Sequence, residues 1–484
     1  MRISGFASGM DIDSMVQELM KARRTSLNTI VQKRTLVEWQ REAYRELSTK
    51  IVDFRNNKLP SYSLSNSMNA KTSSVSGNTN TLTVNSTSAS AAGTLNVQVD
   101  QIASAANTIL KYDGGSTAGK TLAELGFTVD GNDEGTVSVN GISISYLGTE
   151  SLGDLAAKIN ANKDVKATAL YNETTGELSI TNTLTGAGNV DLLDFPASGF
   201  TVTATAGQNS IAKINGITYE QASNRFSVNG FDFTVKAESG AGGATTITAV
   251  TDTNKIIETI KSFINDYNSL IGSINSELQE EKYRSYMPLT EEQKEEMGDK
   301  QIELWEEKAR SGLLRNDTIF NKLVSDLRIT STAEVGGINI DSIGISTGKW
   351  YEKGKLILVD EAKLRDAIEA NPDEVASLFT LNGTDKSPLS TESGIFVKMR
   401  ESLMTTLQSL SKKAGTSLSS TDLNGSFMEN SLLGDQIRQM KSRESLLNSR
   451  LISIENQYYK QFTAMETAIN KFNAQASSLF SFTS

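Results

Sequence analysis

Residues 435–479, DQIRQMKSRESLLNSRLISIENQYYKQFTAMETAINKFNAQASSL, contain neither proline nor glycine and repeat apolar side chains every seven positions. The a positions of this repeat are Ile437, Glu444, Leu451, Tyr458, Met465, Phe472 and Leu479, and the d positions are Met440, Leu447, Ile454, Gln461, Ala468 and Gln475. The pattern is typical of a coiled-coil helix of roughly 45 residues, about 65 Å long at 1.5 Å per residue. Such a helix needs a partner that covers its apolar stripe.

A weaker repeat occupies the first 60 residues. Its a positions are Val16, Arg23, Ile30, Val37, Tyr44 and Ile51, and its d positions are Leu19, Ser26, Lys33, Gln40, Leu47 and Phe54. We expect Asp13 or Ser14 to cap this helix, with Gln17 completing a capping box after Ser14, and we expect Pro60 to end it. The apolar stripes formed by the a and d positions, called here the seams, are predicted to pair with each other. The alternative is an ordinary long helix packed on its own domain. The predicted partner interface comprises Val16, Leu19, Ile30, Val37, Ile437, Leu447, Leu451, Ile454, Tyr458, Met465, Phe472 and Leu479.

The middle of the chain has β patterning. Asn-Gly pairs at 140–141, 215–216 and 229–230 are each flanked by apolar residues, and this predicts three type I′ hairpins. A single amphipathic helix is predicted over 151–160, followed by strands near 167–171 and 177–181. This part therefore predicts a small α+β unit within β-rich surroundings.

Helical patterning returns after Asp252, with further strands expected near Ile338–Ile345 and Lys355–Leu358. Two termini that pair with each other force the middle to be an insertion, so the predicted fold class is α+β multidomain with a nested insertion topology. The expected division is 1–44 with 436–484 as a terminal coiled coil, 45–65 with 251–435 as a mostly helical leg, 66–105 with 202–250 as a β-rich head, and 106–201 as an inserted α+β head.

The composition limits the available chemistry. The 484 residues include no histidine and no cysteine, which excludes a Ser-His-Asp triad, an imidazole base and a thiolate nucleophile or ligand. The net charge of −10 argues against nucleic acid or an anionic membrane as the main partner. No stretch approaches the ~18 apolar residues of a membrane span, and the amino terminus lacks the apolar core of a Sec signal peptide.

No motif for catalysis or metal binding stands out. Asp130-Gly131-Asn132-Asp133-Glu134-Gly135 resembles half of an EF-hand loop, but Gly141 occupies the twelfth position, where a ligating carboxylate is needed, so a polar turn is the preferred interpretation. There is no Walker motif, and Trp39, Trp305 and Trp350 are scattered along the chain. We predict no catalytic residue, no metal, no cofactor and no enzymatic activity.

Four stretches carry a family resemblance. The opening Ile3–Asp13 (ISGFASGMDID), the segments Pro288–Thr290 and Trp305–Ala309, and Gly312–Asp317 (GLLRND) are similar to the flagellar hook-associated protein 2 family, the filament cap proteins. Residues 137–186 resemble the repeat module of flagellar hook and flagellin-type proteins.

The resemblance implies a structural protein that caps the bacterial flagellar filament and guides insertion of exported flagellin. It also implies a ring-shaped homo-oligomer, commonly a pentamer, contact with the hook-filament junction protein, an export chaperone before secretion, and export through the flagellar secretion system without a Sec signal. Neither nucleic acid nor membrane is an expected partner. Alternatives are a surface adhesin whose β-rich head binds glycans or mucin, a flagellin or hook-junction protein, and, least favoured, an enzyme.

Overall fold

The computed structural model describes residues 11–483, with the side chains of 65, 350 and 478–483 left out. The predicted interface residue Leu479, the side chain of Trp350 and positions 3–10 of the opening motif therefore lie outside the described residues. The helices are α1 Ile12–Asp53, α2 Leu59–Ser63, α3 Ser65–Met68, α4 Leu152–Ala161, α5 Thr253–Gln279, α6 Glu291–Glu295, α7 Asp299–Arg310, α8 Thr318–Thr332, α9 Glu361–Ala370, α10 Pro372–Thr380, α11 Ile395–Ala414 and α12 Leu432–Thr483.

The strands are short and concentrated in the middle of the chain. They are β1 Lys71–Gly77, β2 Leu82–Thr87, β3 Thr94–Gln101, β4 Ala105–Tyr112, β5 Glu134–Val139, β6 Ile142–Leu147, β7 Ala167–Asn172, β8 Glu177–Thr185, β9 Leu192–Leu193, β10 Phe200–Thr205, β11 Ser210–Ile214, β12 Ile217–Gln221, β13 Arg225–Val228, β14 Phe231–Val235, β15 Thr245–Thr251, β16 Ile345–Thr347 and β17 Leu356–Leu358. Residues 69–252 form one compact unit, and the chain before and after them forms the other. The predicted nested topology is confirmed.

Helix α1 begins earlier than the sequence suggested. Its cap is Asp11, whose carboxylate accepts a hydrogen bond from the Ser14 backbone N–H at 3.0 Å, so the expected cap at Asp13 or Ser14 was wrong. Ile12, the first residue of the helix, is already buried, at 5% exposure. The N-cap preference does not distinguish between neighbouring Asp and Ser residues, whereas burial of the first apolar side chain does.

Pro60 does not end the helical path, contrary to expectation. After Asp53 the chain makes a wide π-helical turn over Phe54–Lys58, in which the Leu59 N–H donates to the Phe54 carbonyl. Helix α2 follows with Pro60 in its first turn, where a missing N–H costs nothing. The wider π-helical turn accommodates Pro60, which has no backbone N–H to donate, and the helical segment therefore continues to Ser63.

The three predicted hairpins are confirmed. Asn140, Asn215 and Asn229 have φ angles of 52°, 49° and 48°, and the glycine after each has a φ between 80° and 85°. Both central positions of a type I′ turn need positive φ, which Asn-Gly supplies at little cost. These turns join β5 to β6, β11 to β12 and β13 to β14 in antiparallel register.

The unit of residues 69–252 contains two apolar cores. The antiparallel sheets β1-β15-β3-β11-β12 and β13-β14-β2 supply one of them. Its buried side chains include Leu82, Leu95, Val97, Ile214, Phe226, Phe231, Phe233 and Ile247. The sheets β10-β4-β8-β7 and β6-β5-β9 supply the other together with α4, whose predicted position is confirmed and whose start carries a Ser151–Asp154 capping box.

In the helical unit, α5 confirms the helical patterning predicted after Asp252, and its apolar stripe is buried, but the strand expected at Ile338–Ile345 was wrong. The extended segment is Ile345–Thr347, and a 3-10 turn precedes it at Asp341–Ile343. Ile340 and Ile343 are both buried, a spacing of three that belongs to a helical turn rather than to a strand. The predicted strand near Leu356 is confirmed as β17. The Asn268 side chain on α5 binds both the N–H and the carbonyl of Leu356 at 2.8 Å.

A fragment of residues 69–252 should fold without the rest of the chain, because its cores are built entirely from its own residues. We expect cooperative thermal unfolding with the same β-rich circular dichroism as this unit has in the full chain. Non-cooperative melting of the fragment would contradict this. A fragment of residues 69–199, which lacks Phe200 and the strands β10 to β15, is the matched control and should not unfold cooperatively.

Candidate functional site: the paired terminal helices

Helices α1 and α12 lie side by side in antiparallel orientation. The Tyr459 hydroxyl donates to Asp13 Oδ1 at 2.9 Å near the start of α1. Farther along α1, Arg34 Nε lies 2.9 Å from Glu444 Oε2. Residue numbers therefore rise along one helix as they fall along the other, and the predicted pairing of the two ends of the chain is present within one molecule.

An apolar cluster occupies the interface between the two helices. Ile12, Val16, Met20 and Leu451 are buried in it, and Leu27, Ile454, Tyr458, Tyr459 and Phe462 pack against it. Burying side chains of this size contributes about 1.5–3 kcal/mol each when burial is complete, so this cluster is the main attraction between the helices at this end.

The structure places the predicted interface residues unequally. Val16, Leu451, Ile454 and Tyr458 belong to the cluster, while Ile437 is buried farther along α12. Four others are half-buried, namely Ile30, Val37, Leu447 and Met465. Leu19 and Phe472 lie largely in solvent, with 42% and 69% of their surface exposed.

The seam of α1 differs in register from the expected one. Met20, Leu27 and Arg34 face α12, and each lies four residues after a predicted a position. The predicted d residues lie three residues after the same a positions and are exposed, namely Leu19, Ser26 and Lys33. Both spacings are compatible with a heptad, so the repeat alone did not decide between them. Four residues of the cluster were not predicted from the heptad repeats, namely Ile12, Met20, Leu27 and Phe462. Met20 and Leu27 are apolar and lie seven residues apart, and this repeat was the sequence signal that could have identified these two residues.

Arg41 joins α1 to the ends of α11 and α12. Its Nε donates to the Ala414 carbonyl at 2.7 Å, at the carboxyl end of α11, and its Nη2 donates to the Met428 carbonyl at 2.9 Å. Arg41 and Arg45 stack on the Phe427 ring at 4.1 and 4.0 Å. Burial, together with the charges of Arg45 and Arg438, lowers the pKa of Arg41, whose side chain nevertheless stays protonated.

Asp317, the last residue of the Gly312–Asp317 motif, holds α1 to the helical unit. Its Oδ1 caps α8 through the backbone N–H groups of Ile319 and Phe320, and its Oδ2 accepts from Tyr44 at 2.5 Å and from Lys413 at 2.8 Å. Burial alone would raise the pKa of this carboxyl. The hydrogen bonds from Lys413 and Tyr44 outweigh burial, so its pKa lies below the ordinary value of 3.8.

The stretch around Pro288 also contacts α1. Arg24 pairs with Glu292 at 3.0 Å, and the Gln32 amide donates to the Pro288 carbonyl at 2.8 Å. The Trp305 indole N–H in turn donates to the Met287 carbonyl at 2.8 Å and fixes this stretch on α7. The segments that carried the family resemblance therefore position the amino-terminal helix.

The candidate loop at Asp130 forms a polar turn. Asp130 Oδ1 accepts the backbone N–H groups of Asn132 and Glu134 at 2.9 and 3.0 Å, and these hydrogen bonds lower the pKa of Asp130. Within residues 11–483, no group of three or more carboxylates has the geometry of a metal site. None of the helices described is both long enough and apolar enough to cross a membrane.

Comparison with known proteins identifies relatives across the whole chain. The family model described as "Flagellar hook-associated protein 2 C-terminus" matches residues 207–474, and its N-terminus counterpart matches residues 8–106. The flagellar hook-associated protein 2 of Halalkalibacterium halodurans is 30% identical over 100% of this chain and 99% of its own length. The B-type protein of Pseudomonas aeruginosa is 25% identical over 69% of this chain and 73% of its own. The D1-D2-D3 crystal structure of the Escherichia coli flagellar cap protein has 20% identity and a TM-score of 0.48, covering 82% of this chain and 99% of that one.

Paired terminal helices around a β-rich insertion define an α+β multidomain protein of nested topology. The chain belongs to the flagellar hook-associated protein 2 family. The role of this family is structural, at the cap of the flagellar filament, and it is not a known family of enzymes. The alternative of a surface adhesin is not favoured by these relatives.

Replacing Asp317 with Asn should lower the free energy of unfolding by about 2 kcal/mol at neutral pH, because the cap is kept while the charge facing Lys413 is lost. The folded pKa of Asp317 lies below 3.8, so the charged carboxylate stabilises the fold above that pH, and its contribution disappears as the pH falls through the folded pKa. Urea unfolding at pH 7, 5 and 3 measures both effects.

The matched control for this prediction is Asp435→Asn, which removes an exposed ion pair with Arg438. It should change stability by less than ~0.5 kcal/mol at each pH. If the two variants behaved alike, the Asp317 cluster would not be the anchor of α1.

Substituting Leu451→Asp together with Ile454→Asp should separate α12 from α1, because two carboxylates would enter the apolar cluster. We expect hydrogen exchange in residues 12–27 to accelerate at least tenfold, with no change in residues 69–252. The control is Leu446→Asp with Ile452→Asp on the same helix, where the side chains are 71% and 51% exposed. Equal acceleration in both variants would show that the cluster does not hold the pair together.

Proposed function

We propose that this protein caps the tip of the bacterial flagellar filament and guides insertion of flagellin, with its paired terminal helices as the surface that contacts the growing filament. Family membership and the arrangement of the helices support this proposal. The observation that carries it is that α12 extends well beyond the start of α1. Tyr459 lies level with Asp13, yet α12 continues to Thr483, about 24 residues or ~36 Å farther.

The exposed seam residues fit a surface that changes partners. Phe472 lies on this extension and is largely exposed although it continues the heptad repeat. Polar residues interrupt the seam at Arg34 and Glu444, which weakens a permanent coiled coil. Burial of the terminal helices of each incoming flagellin would make insertion downhill without a nucleotide. The interface residues predicted from the heptads, including Leu479, are proposed to take part.

Assembly and export belong to the same proposal. We propose a ring-shaped homo-oligomer, a pentamer, that also meets the hook-filament junction protein, and a chain that is exported through the flagellar secretion system with a chaperone and without a Sec signal. A chain without cysteine and with only five prolines is compatible with export in an unfolded state, since no disulfide has to be opened.

The four-part division of the chain also remains a proposal, supported by the separate cores. We propose a terminal coiled coil, a helical leg and two head domains. The pairing of β10 with β4 favours a boundary near residue 205 between the two heads, four residues beyond the position expected from the sequence.

Deleting residues 440–484 should abolish capping, because the longer helix and its extension are removed while the β-rich unit stays folded. Filament growth in a null strain that carries the truncated chain measures this by electron microscopy, with the intact chain as control. Full-length filaments with the truncated chain would overturn the proposed role of the helices. Images of the purified intact chain give the ring size, and a ring with another number of subunits would overturn the pentamer.

A further inference from the structure

Asparagine is followed directly by glycine at five places in this chain, namely Asn140, Asn215, Asn229, Asn382 and Asn424. Asparagine is one of the thermolabile residues of proteins, because its side chain loses its amide nitrogen on ageing. A following glycine favours this loss, since it has no Cβ to keep its backbone nitrogen away from the asparagine side chain. The structure distinguishes the five positions by how firmly it holds each side chain and each glycine.

The reaction is an attack by the chain on itself. The glycine nitrogen gives up its proton to hydroxide and bonds to the asparagine Cγ. The bond between Cγ and the side-chain nitrogen breaks, and this nitrogen takes a proton from water and leaves as ammonia. Water then opens the succinimide ring, which leaves a carboxylate on an aspartate or an isoaspartate. The attack requires a side chain that is free to turn toward the glycine, and a glycine whose backbone is free to approach it.

Hydrogen bonds hold the asparagine side chain in each of the three hairpin turns. Asn140 Nδ2 donates to Asn182 Oδ1 at 2.8 Å. Asn215 Oδ1 accepts the Asn96 backbone N–H at 2.8 Å. Asn229 Nδ2 donates to a backbone carbonyl at 3.1 Å. These hydrogen bonds must break before the side chains turn, so the hairpins protect their asparagines.

Asn382 lies outside the hairpins, but its glycine is enclosed. The position that a Cβ of Gly383 would occupy lies 2.2 Å from the Glu392 carbonyl oxygen, so the two backbones are in close contact. The Gly394 N–H also donates to the Leu381 carbonyl at 2.7 Å, which fixes the chain just before Asn382. Movement of Gly383 toward the asparagine side chain is therefore restricted.

Asn424 is free of both restraints. Its side chain is exposed and makes no hydrogen bond with the described residues, while its backbone N–H donates to Asp422 Oδ1 at 2.8 Å. The Cβ position of Gly425 lies 3.4 Å from the Asp422 carbonyl oxygen, an ordinary van der Waals distance. The hydrogen bond from the Gly425 N–H to the same carbonyl is long, at 3.4 Å, and holds this nitrogen weakly.

We infer that Asn424 is a site of self-modification, at which the folded chain releases ammonia and acquires an aspartate or an isoaspartate. The carboxylate adds one negative charge to the net charge of −10. An isoaspartate also lengthens the main chain by one carbon directly before Gly425, whose carbonyl accepts a hydrogen bond from Arg45 of α1 at 2.7 Å. The modification therefore alters the segment that binds α1 through Arg41 and Arg45, and it is independent of the proposed function.

The test incubates the purified full chain at mildly alkaline pH, both folded and in urea, and follows the five sites by peptic digestion at acid pH and tandem mass spectrometry. In urea we expect similar rates at all five sites. In the folded chain the other four sites should react at least about tenfold more slowly than Asn424, because their contacts must break first. A rate at Asn424 that does not exceed the rate at each of the other four sites overturns the inference.

The variant Gly425→Ala places a methyl group beside the attacking nitrogen and should slow the reaction at Asn424 by about tenfold, with the other rates unchanged. The matched control is Gly272→Ala on α5, where no atom lies within 4 Å of the Cβ position, and it should leave every rate unchanged. Thermal unfolding checks that both variants fold. An undiminished rate at Asn424 in the first variant, or equal slowing in both, overturns the inference.

A second variant, Asn424→Gln, gives an independent measurement at an exposed position, where a change of fold is not expected. Its longer side chain would have to close a larger ring, which forms more slowly. Anion-exchange chromatography of the ageing native chain should show a more acidic form that increases with time, and this increase should be largely lost in the variant. An equal increase in the variant overturns the inference.

Discussion

Antiparallel packing of α1 on α12 is the constraint on which the rest of the structure depends. Because the two ends of the chain lie together, the segments between α1 and α12 must depart from the helix pair and come back to it at neighbouring positions. The β1–β15 ladder satisfies this in the β-rich unit, since Lys71 pairs with Thr251 and Gly77 with Thr245. The same requirement recurs inside that unit, where β4 and β10 pair around the segment that builds the second core.

The helix pair is fixed firmly at one end and lightly at the other. Around residues 41–47, α1 is bound through Arg41 to two backbone carbonyls and through Tyr44 to Asp317, so loosening it there would expose buried polar partners. Toward Ile12, attraction comes from one apolar cluster and a tyrosine hydrogen bond. The proposed function, in which this helix pair contacts the growing filament, requires such a gradient, because a contact surface can change partners only if its own packing is shallow.

Much of the β-rich unit was predictable from the sequence because its signals are local. Asn140-Gly141 needs only its own two φ angles to form a hairpin turn, and the Ser151–Asp154 box closes within one helical turn. The paired seams were also predictable, since an apolar heptad repeat sustained over about 45 residues is typical of a coiled coil and of few globular helices. The burial of Asp317 was not, because its partners Tyr44 and Lys413 lie 273 and 96 residues away.

By itself the sequence determined that the chain has two helical ends, a β-rich insertion with three tight turns, and no histidine or cysteine chemistry. Only the tertiary structure decided which of two heptad registers α1 uses, that Asp11 caps it, that the helical path passes Pro60, and that Ile338–Ile345 is mostly not a strand. The physical reason is common to all four. Each choice lies between local conformations of similar free energy, and burial against residues distant in sequence selects one of them.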